Sequence, residues 1–379
     1  MKKIIMTEYD DYDSDFKLGE HHYAQIFAQN GYKVLWLNPI YNYLTYLKSK
    51  ELYLKREVFN NGDFKEVEKN LFVYSPKSLF LYGNKPGFNT KVACKLSNKY
   101  ILHNFKRQLI KNDFYDVDIL WLSNPKYFYI SNYINYKQLI HRCADNVTEA
   151  KNLPKSLRYF EKEIFKKSDK VFVTSKDIIG KRSNERNDLI YLPNGVELDN
   201  FIREEYKIPE EFKGVKKSKV IYVGAIREWF DIDLIDYVSK NLKDIEFYFI
   251  GNVEIDISRL KQINNIHFLG KRDYKYVPQY MYFSDVGIIP FQINEFINGV
   301  SPIKLYEYMS VGLNVVSTNF RGIKILNSPA YLANNYNEFA KYILKAICKK
   351  KHNKDLNISF AKDNTWNKRF DFIIKNSIN

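Results

Sequence analysis

Ser301-Pro302-Ile303-Lys304-Leu305-Tyr306-Glu307-Tyr308-Met309-Ser310-Val311-Gly312-Leu313-Asn314-Val315-Val316-Ser317 is the stretch that decides how the chain is organised. Ser301 before Pro302 predicts a helix start, with a capping side chain and then a residue that has no amide hydrogen to satisfy. Gly312 predicts the helix end, and the apolar run behind it predicts a strand. Ser301, Lys304 and Glu307 fall on one polar stripe, while Ile303, Leu305 and Met309 supply packing. A helix start with a lysine one turn in suits a diphosphate without a metal, because amides, dipole and ammonium all favour the anion. A glutamate further along that face can accept from ribose hydroxyls. The competing reading is an exposed Lys304–Glu307 pair, which would contribute only a few tenths of a kcal/mol.

Outward from this segment, short apolar runs alternate with longer amphipathic ones, as expected of βαβ units and a parallel sheet. The first series of strands is expected at Lys3–Met6, Tyr32–Asn38, Leu71–Ser75, Ile119–Ser123, Gln138–His141, Val171–Thr174 and Leu189–Leu192. A helix from about Glu20 to Asn30 joins the first two. The second series is expected at Lys219–Val223, Glu246–Ile250, Ile266–Leu269, Val286–Pro290 and Asn314–Ser317. Between the series, Val196 to Lys217 is charged, holds Pro209 and Gly214, and reads as a linker. After Tyr331 the pattern is helical.

A chain of 379 residues with 45% hydrophobic side chains can fill two cores, which excludes whole-chain disorder. The net charge of +15 favours an anionic partner: a phosphorylated substrate, an acidic membrane surface or nucleic acid. Cys94, Cys143 and Cys348 are far apart with no CxxC, which argues against a zinc site or disulfide scaffold and fits a reducing cytoplasm. Met1-Lys2-Lys3 leads into acidic residues rather than an apolar core, so no secretory leader is expected. No run of about eighteen apolar residues occurs, so membrane contact is expected to be peripheral. Lys91, Lys95, Lys99, Lys106, Arg107 and Lys111 recur near helical spacing, with Val92, Leu96, Leu102, Phe105 and Leu109 opposite. That pattern predicts one basic amphipathic helix, suited to anionic lipid or, in the competing reading, core-packed with a solvated lysine face. Tyr43 to Arg56 offers a second possible contact.

The helix-start segment resembles the nucleotide-sugar signature of GT-B glycosyltransferases of the family 4/1-like kind. It is particularly similar to the branch holding bacterial teichuronic-acid and xanthan glucuronosyltransferases. Asn194-Gly195-Val196, Tyr222-Val223-Gly224, Asp285-Val286-Gly287-Ile288-Ile289-Pro290 and Trp366-x-x-Arg369 match the family's patterns in the family's order. The resemblance implies an α/β chain of two Rossmann-like domains facing a cleft, with a C-terminal helix crossing back. The expected domains are an acceptor domain over 1–200, joined by helix 356–379, and a nucleotide-sugar domain over 215–355. The implied activity is transfer of a hexosyl group from a UDP-sugar to a cell-surface polysaccharide or lipid-linked glycan, without metal and without nucleic acid. The protein is then expected in the cytoplasm, peripheral on the inner face of the membrane. A sugar-nucleotide 2-epimerase of the same fold and a basic nucleic-acid-binding protein are the alternatives.

Asn194, Gly224, Arg227, Ser301, Pro302, Lys304 and Glu307 form the expected nucleotide-sugar-binding set. Two departures from the family bear on mechanism: Gly299 stands where many retaining relatives carry a second glutamate, and Gly224-Ala225-Ile226-Arg227 replaces the common Gly-Arg loop. In His141-Arg142-Cys143-Ala144-Asp145-Asn146, just past a predicted strand, Asp145 is the expected general base, on the analogy of the xanthan-type aspartate, and His141 the second candidate. The resemblance also places Gly19, Glu20 and His21 where relatives contact acceptor or sugar. The triplets Asp13-Ser14-Asp15 and Asp231-Ile232-Asp233 lack the preceding strand that a metal motif requires, so no metal site is expected from them.

Overall fold

The structure is a computed structural model of the chain and describes residues 1–14, 17–60, 63–83, 85–101, 105–144 and 155–377. It divides into two compact units, one formed by Met1–Leu192 with the chain from Phe372 onward, the other by Pro193–Asp371.

The first unit is built on strands β1 (Lys3–Thr7), β2 (Lys33–Leu37), β3 (Lys65–Glu68), β4 (Leu71–Tyr74), β5 (Asp116–Leu122), β6 (Asn135–Cys143), β7 (Lys170–Val173) and β8 (Ile190–Tyr191). Their order is β3-β4-β2-β1-β5-β6-β7-β8, and only β3 runs antiparallel to its neighbour. Ile4 to Met6 and Val34 to Leu37 are buried without alternation, because helices cover both faces of a parallel sheet. The edge strand β3 reads Lys-Glu-Val-Glu and buries none of its residues, so no apolar signal announced it.

The second unit carries β9 (Ser218–Val223), β10 (Ile245–Ile250), β11 (Ile266–Gly270), β12 (Val286–Ile289), β13 (Asn314–Thr318) and β14 (Tyr331–Ala333). All pairs are parallel and the order is β11-β10-β9-β12-β13-β14. The connections leave β9 and β12 in opposite directions, which opens a crevice at their carboxyl ends where ligands of such sheets bind.

The expected linker is not one. Val196, Phe201 and Phe212 are buried in the core of the second unit, and Phe212 packs against Tyr248 and Tyr280 with ring centroids 4.6 and 5.5 Å away. Their charged neighbours hid these anchors. The expected basic helix is two, Lys91–Lys99 and Phe105–Lys111. Ile101 pairs with Ser78 in an antiparallel bridge, and that extended backbone interrupts the helix; Leu102 lies outside the described residues. The last helix, Trp366–Ser377, starts in the second unit and returns the chain to the first.

Gly287 in β12 shows how tightly the second core is closed, for a Cβ there would stand 2.7 Å from the Tyr308 ring. Gly287→Ala is therefore expected to lower the unfolding free energy by about 1–3 kcal/mol in chemical denaturation, the usual cost of overpacking.

Candidate functional site

The helix Ile303–Ser310 lies at the crevice of the second sheet, and Tyr308 fixes it there. The Tyr308 hydroxyl accepts a hydrogen bond from the Val223 amide at 2.8 Å, tying the helix to the end of β9. Gly312, at φ +76°, ends the helix and turns the chain into β13.

Ser301 does not cap this helix. The residue at the cap position is Pro302, and no side chain caps the start. Ser301 is instead turned to Asn194: its Oγ accepts from the Asn194 amide at 3.2 Å, and its carbonyl accepts from Asn194 Nδ2 at 2.7 Å. The Asn194 carbonyl in turn accepts from Arg369 Nε at 3.3 Å. A Cβ on Gly195 would stand 3.0–3.1 Å from the Asn364–Trp366 backbone, tighter than ordinary contact, so the bare glycine lets the two segments lie together without a shift. The signatures around 194, 301 and 366 are thus parts of one junction.

Lys304 points toward the ends of β9 and β12. Its ammonium lies 5.1 Å from the Tyr222 ring centroid and 4.8 Å from that of Phe291. Among the described residues it has no hydrogen-bond or ion-pair partner. Burial lowers its pKa to about 8, partly offset by the nearby Glu307 carboxylate. Gly224 follows β9 at φ +141°, and a Cβ there would come 3.2 Å from the ammonium. A bare glycine backbone beside a half-buried, unpaired cation is a cradle for an anion. Tyr222 and Phe291 were not singled out as cation partners, since sequence does not display contacts between distant strand ends.

Glu307 follows one turn later. The Tyr274 hydroxyl donates to its Oε1 at 2.9 Å, and burial with this carboxylate raises the tyrosine's pKa well above 10. Tyr274 therefore stays protonated and fixes the carboxylate as an acceptor, a role with no sequence signal. Arg227 is not part of this group: its guanidinium pairs with Glu254 and lies 5.5 Å from the Trp229 ring.

Asp145 lies outside the described residues. His141 is buried at the end of β6, in the first unit, where its Nδ1 lies 2.6 Å from the Leu122 carbonyl and so carries the proton. Its Nε2 has no hydrogen-bond partner among the described residues, and its pKa falls to about 4 because burial disfavours the imidazolium. His141 borders a pocket of about 170 Å³ that also takes in Glu8, Glu20, His21 and Arg142. Arg142 is ion-paired with Glu20, both of them buried.

Residues 217–349, which lie in the second unit, match the family described as Glycosyl transferases group 1. The chain is 25% identical over 228 residues to TuaH of Bacillus subtilis (strain 168), whose name assigns it as a glycosyltransferase to teichuronic acid biosynthesis. That match spans 55% of this chain and 57% of the relative. Among solved structures, sucrose-phosphate synthase (tll1590) from Thermosynechococcus elongatus superposes with a TM-score of 0.72 at 14% identity, covering 99% of this chain and 98% of that one. Anabaena HepE in complex with UDP gives 0.64 at 12% identity, covering 99% of both. The fold is GT-B, as the resemblance implied.

The buried histidine makes a pH prediction. A folded pKa of about 4 against 6.5 unfolded means the unfolded chain binds the extra proton, so this contribution is full above pH 6.5 and is lost as pH falls toward 4. His141→Asn keeps a donor for the Leu122 carbonyl and should lose less stability over that window, as followed by denaturation at stepped pH.

Proposed function

We propose that this protein transfers a sugar from a UDP-sugar to a hydroxyl of a cell-surface polysaccharide or lipid-linked glycan. The observation that carries this reading is Lys304, a half-buried cation with no hydrogen-bond or ion-pair partner among the described residues, set over Gly224 at the switch point of a doubly wound sheet. A diphosphate placed there meets the ammonium and the uncapped helix start, and bond cleavage to the sugar leaves charge where both already point. Glu307, steadied by Tyr274, accepts from the ribose hydroxyls, and Gly224 leaves room for the phosphates. Asn194, Ser301 and Pro302 set the angle at which the helix enters. Arg227, held by Glu254, supplies at most a more distant charge. The complexes of HepE with UDP and with UDP-glucose support a uridine nucleotide as the donor's leaving group. The teichuronic-acid relative supports a surface-glycan acceptor.

The same reading places the protein in the cytoplasm, peripheral on an anionic membrane surface. Lys91, Val92, Lys95 and Lys99 are exposed on the first basic helix, and Lys106, Arg107, Ile110 and Lys111 on the second. Tyr43 and Leu47 on the helix Tyr43–Lys48 and Leu54 on the helix Lys50–Glu57 are also exposed, among Lys48, Lys50 and Lys55. Cationic side chains interleaved with exposed apolar ones suit a lipid headgroup layer.

Three measurements test this function. Calorimetry with UDP should show Lys304→Met weakening affinity about ten- to a hundredfold, the range of a charge-assisted contact. Wild-type affinity should fall as pH rises past about 8, because the anion prefers the protonated lysine, and the variant should lose that slope. Glu307→Ala should weaken UDP binding with folding intact. With UDP-glucose, UDP-galactose, UDP-N-acetylglucosamine and UDP-glucuronate, UDP release should survive EDTA; no UDP binding and no release from any of them would overturn the reading. Co-sedimentation with phosphatidylserine-containing vesicles should fall with salt and with Lys95→Glu and Lys99→Glu, and equal binding to neutral vesicles would contradict the membrane assignment.

A further inference from the structure

Lys126 is a second cation that the fold leaves unpaired, this one inside the first unit. It follows β5 in the 3₁₀ helix Pro125–Tyr133 and so lies at the carboxyl end of that strand. Its backbone is held on both sides: its amide donates to Asn124 Oδ1 at 3.0 Å, and its carbonyl accepts from Asn98 Nδ2 at 2.9 Å. The residue is half-buried, and among the described residues its ammonium has no hydrogen-bond or ion-pair partner.

The charges that act on this ammonium are mainly of its own sign. Burial lowers the Lys126 pKa below 10.5, and the cations Arg56 and Lys48 push the same way. Cys94 also acts on it, yet burial pushes that thiol up to about 12, so it carries no charge at ordinary pH. Lys48 ends the helix Tyr43–Lys48 and Arg56 lies on the helix Lys50–Glu57, both in the connection that leaves β2. Arg56 binds Asp11, in the loop after β1, through Nε at 2.8 Å and Nη2 at 2.9 Å. Connections from β1, β2 and β5, three neighbouring strands, therefore meet here at their carboxyl ends, where an open α/β sheet receives ligands. Nearby carboxylates are already matched, Asp13 by Lys55 at 3.2 Å and Glu57 by Lys77 at 2.6 Å. Three cations, Lys126, Arg56 and Lys48, are thus set against one carboxylate, Asp11, and the excess of two positive charges equals the charge of a phosphomonoester.

We propose that Lys126, with Arg56 and Lys48, forms a phosphate-binding site in the first unit. Its ligand is a phosphomonoester or the terminal phosphate of a diphosphate: the ammonium meets the oxygens directly, and the other two cations add attraction. The phosphate is carried by a lipid or by a soluble molecule. Tyr43 and Leu47, exposed on the helix that ends in Lys48, give an acyl chain an apolar surface beside the site. This is one half-buried place for one phosphate, separate from the broad contact of exposed lysines with headgroups, and it stands independently of the transfer reading.

Binding is measured on the full chain carrying Lys304→Met, so that an anion at the second unit's lysine does not contribute. Inorganic phosphate should raise the melting temperature of that chain, and adding Lys126→Met should weaken phosphate affinity about ten- to a hundredfold in calorimetry. Lys126→Arg keeps the charge and should retain most of the affinity, whereas Lys48→Ala should weaken it about two- to fivefold. Without phosphate, Lys126→Met should melt no lower than its parent, because it removes a desolvated charge; a lower melt with unchanged phosphate affinity would make Lys126 a structural residue and overturn the site. Co-sedimentation with phosphatidylcholine vesicles carrying phosphatidic acid, or phosphatidylserine at matched surface charge, separates the sources. A preference for phosphatidic acid that Lys126→Met removes identifies a lipid phosphate. Binding of inorganic phosphate and glycerol phosphate without that preference identifies a soluble one. Lys95→Glu should weaken both vesicle types alike. No binding of phosphate, glycerol phosphate or phosphatidic acid, or affinities that Lys126→Met leaves unchanged, would overturn the proposal. With Lys304 intact, Lys126→Met should bind UDP as wild type does, so failure of this site and failure of the donor reading are seen separately.

Discussion

The hydrogen bond from the Val223 amide to the Tyr308 hydroxyl is the constraint on which the second unit depends. A backbone donor at the end of a central strand would otherwise be left exposed or orphaned, and a buried orphan costs about 1–3 kcal/mol. A tyrosine reaching across from a helix satisfies it and fixes the height of that helix above the sheet. Gly287 makes the reach possible, since the ring crosses β12 where any side chain would collide. Lys304 and Glu307 precede Tyr308 on the same short helix, so the register that seats the tyrosine also aims the ammonium and the carboxylate. Geometry and chemistry are set by one contact.

How far the sequence could be read follows from the range of the forces involved. Helix start, stop and polar stripe in 301–312 are local patterns, and so are the apolar runs of β1, β2, β9 and β10; these were legible. The edge strands β3 and β14 were not, because β3 buries no side chain and β14 is three residues long, whereas the opposite edges β8 and β11 carry apolar runs that were read. The supposed linker misled because a few aromatic anchors, Phe201 and Phe212, outweigh in free energy the charged residues that surround them. Ser301 has the right chemistry for a cap, yet its hydroxyl meets the Asn194 amide, a partner that only the folded chain brings near. Tyr222, Phe291 and Tyr274 complete the site from other elements, and no spacing in the sequence announces them.

The crevice of the second unit and the pocket of the first handle charge in opposite ways. In the second, the Lys304 ammonium has the Glu307 carboxylate and two aromatic faces near it but no ion pair among the described residues, which leaves room for an external anion. In the first, carboxylates crowd one guanidinium, and burial with the repulsion of Glu20 raises the proton affinity of Glu8. Both arrangements leave an electrostatic need unmet in the folded chain and would be destabilising in a plain core. Their cost falls on crevice and pocket walls, where a ligand can relieve it.

The lowered pKa of Lys304 carries one more consequence. Near pH 8 a sizeable share of molecules holds this side chain as a neutral amine. An anion that binds beside it restores the ordinary preference for the ammonium, so each binding event also draws hydrogen ions from solution. Linkage makes the two ligands reciprocal: the anion tightens the hold on the proton as much as the proton tightens the hold on the anion. The heat of binding then includes the ionisation heat of whatever buffer gives up that proton. Association enthalpies measured at one pH in buffers of different ionisation enthalpy would fall on a line, and its slope counts the protons that the lysine takes up.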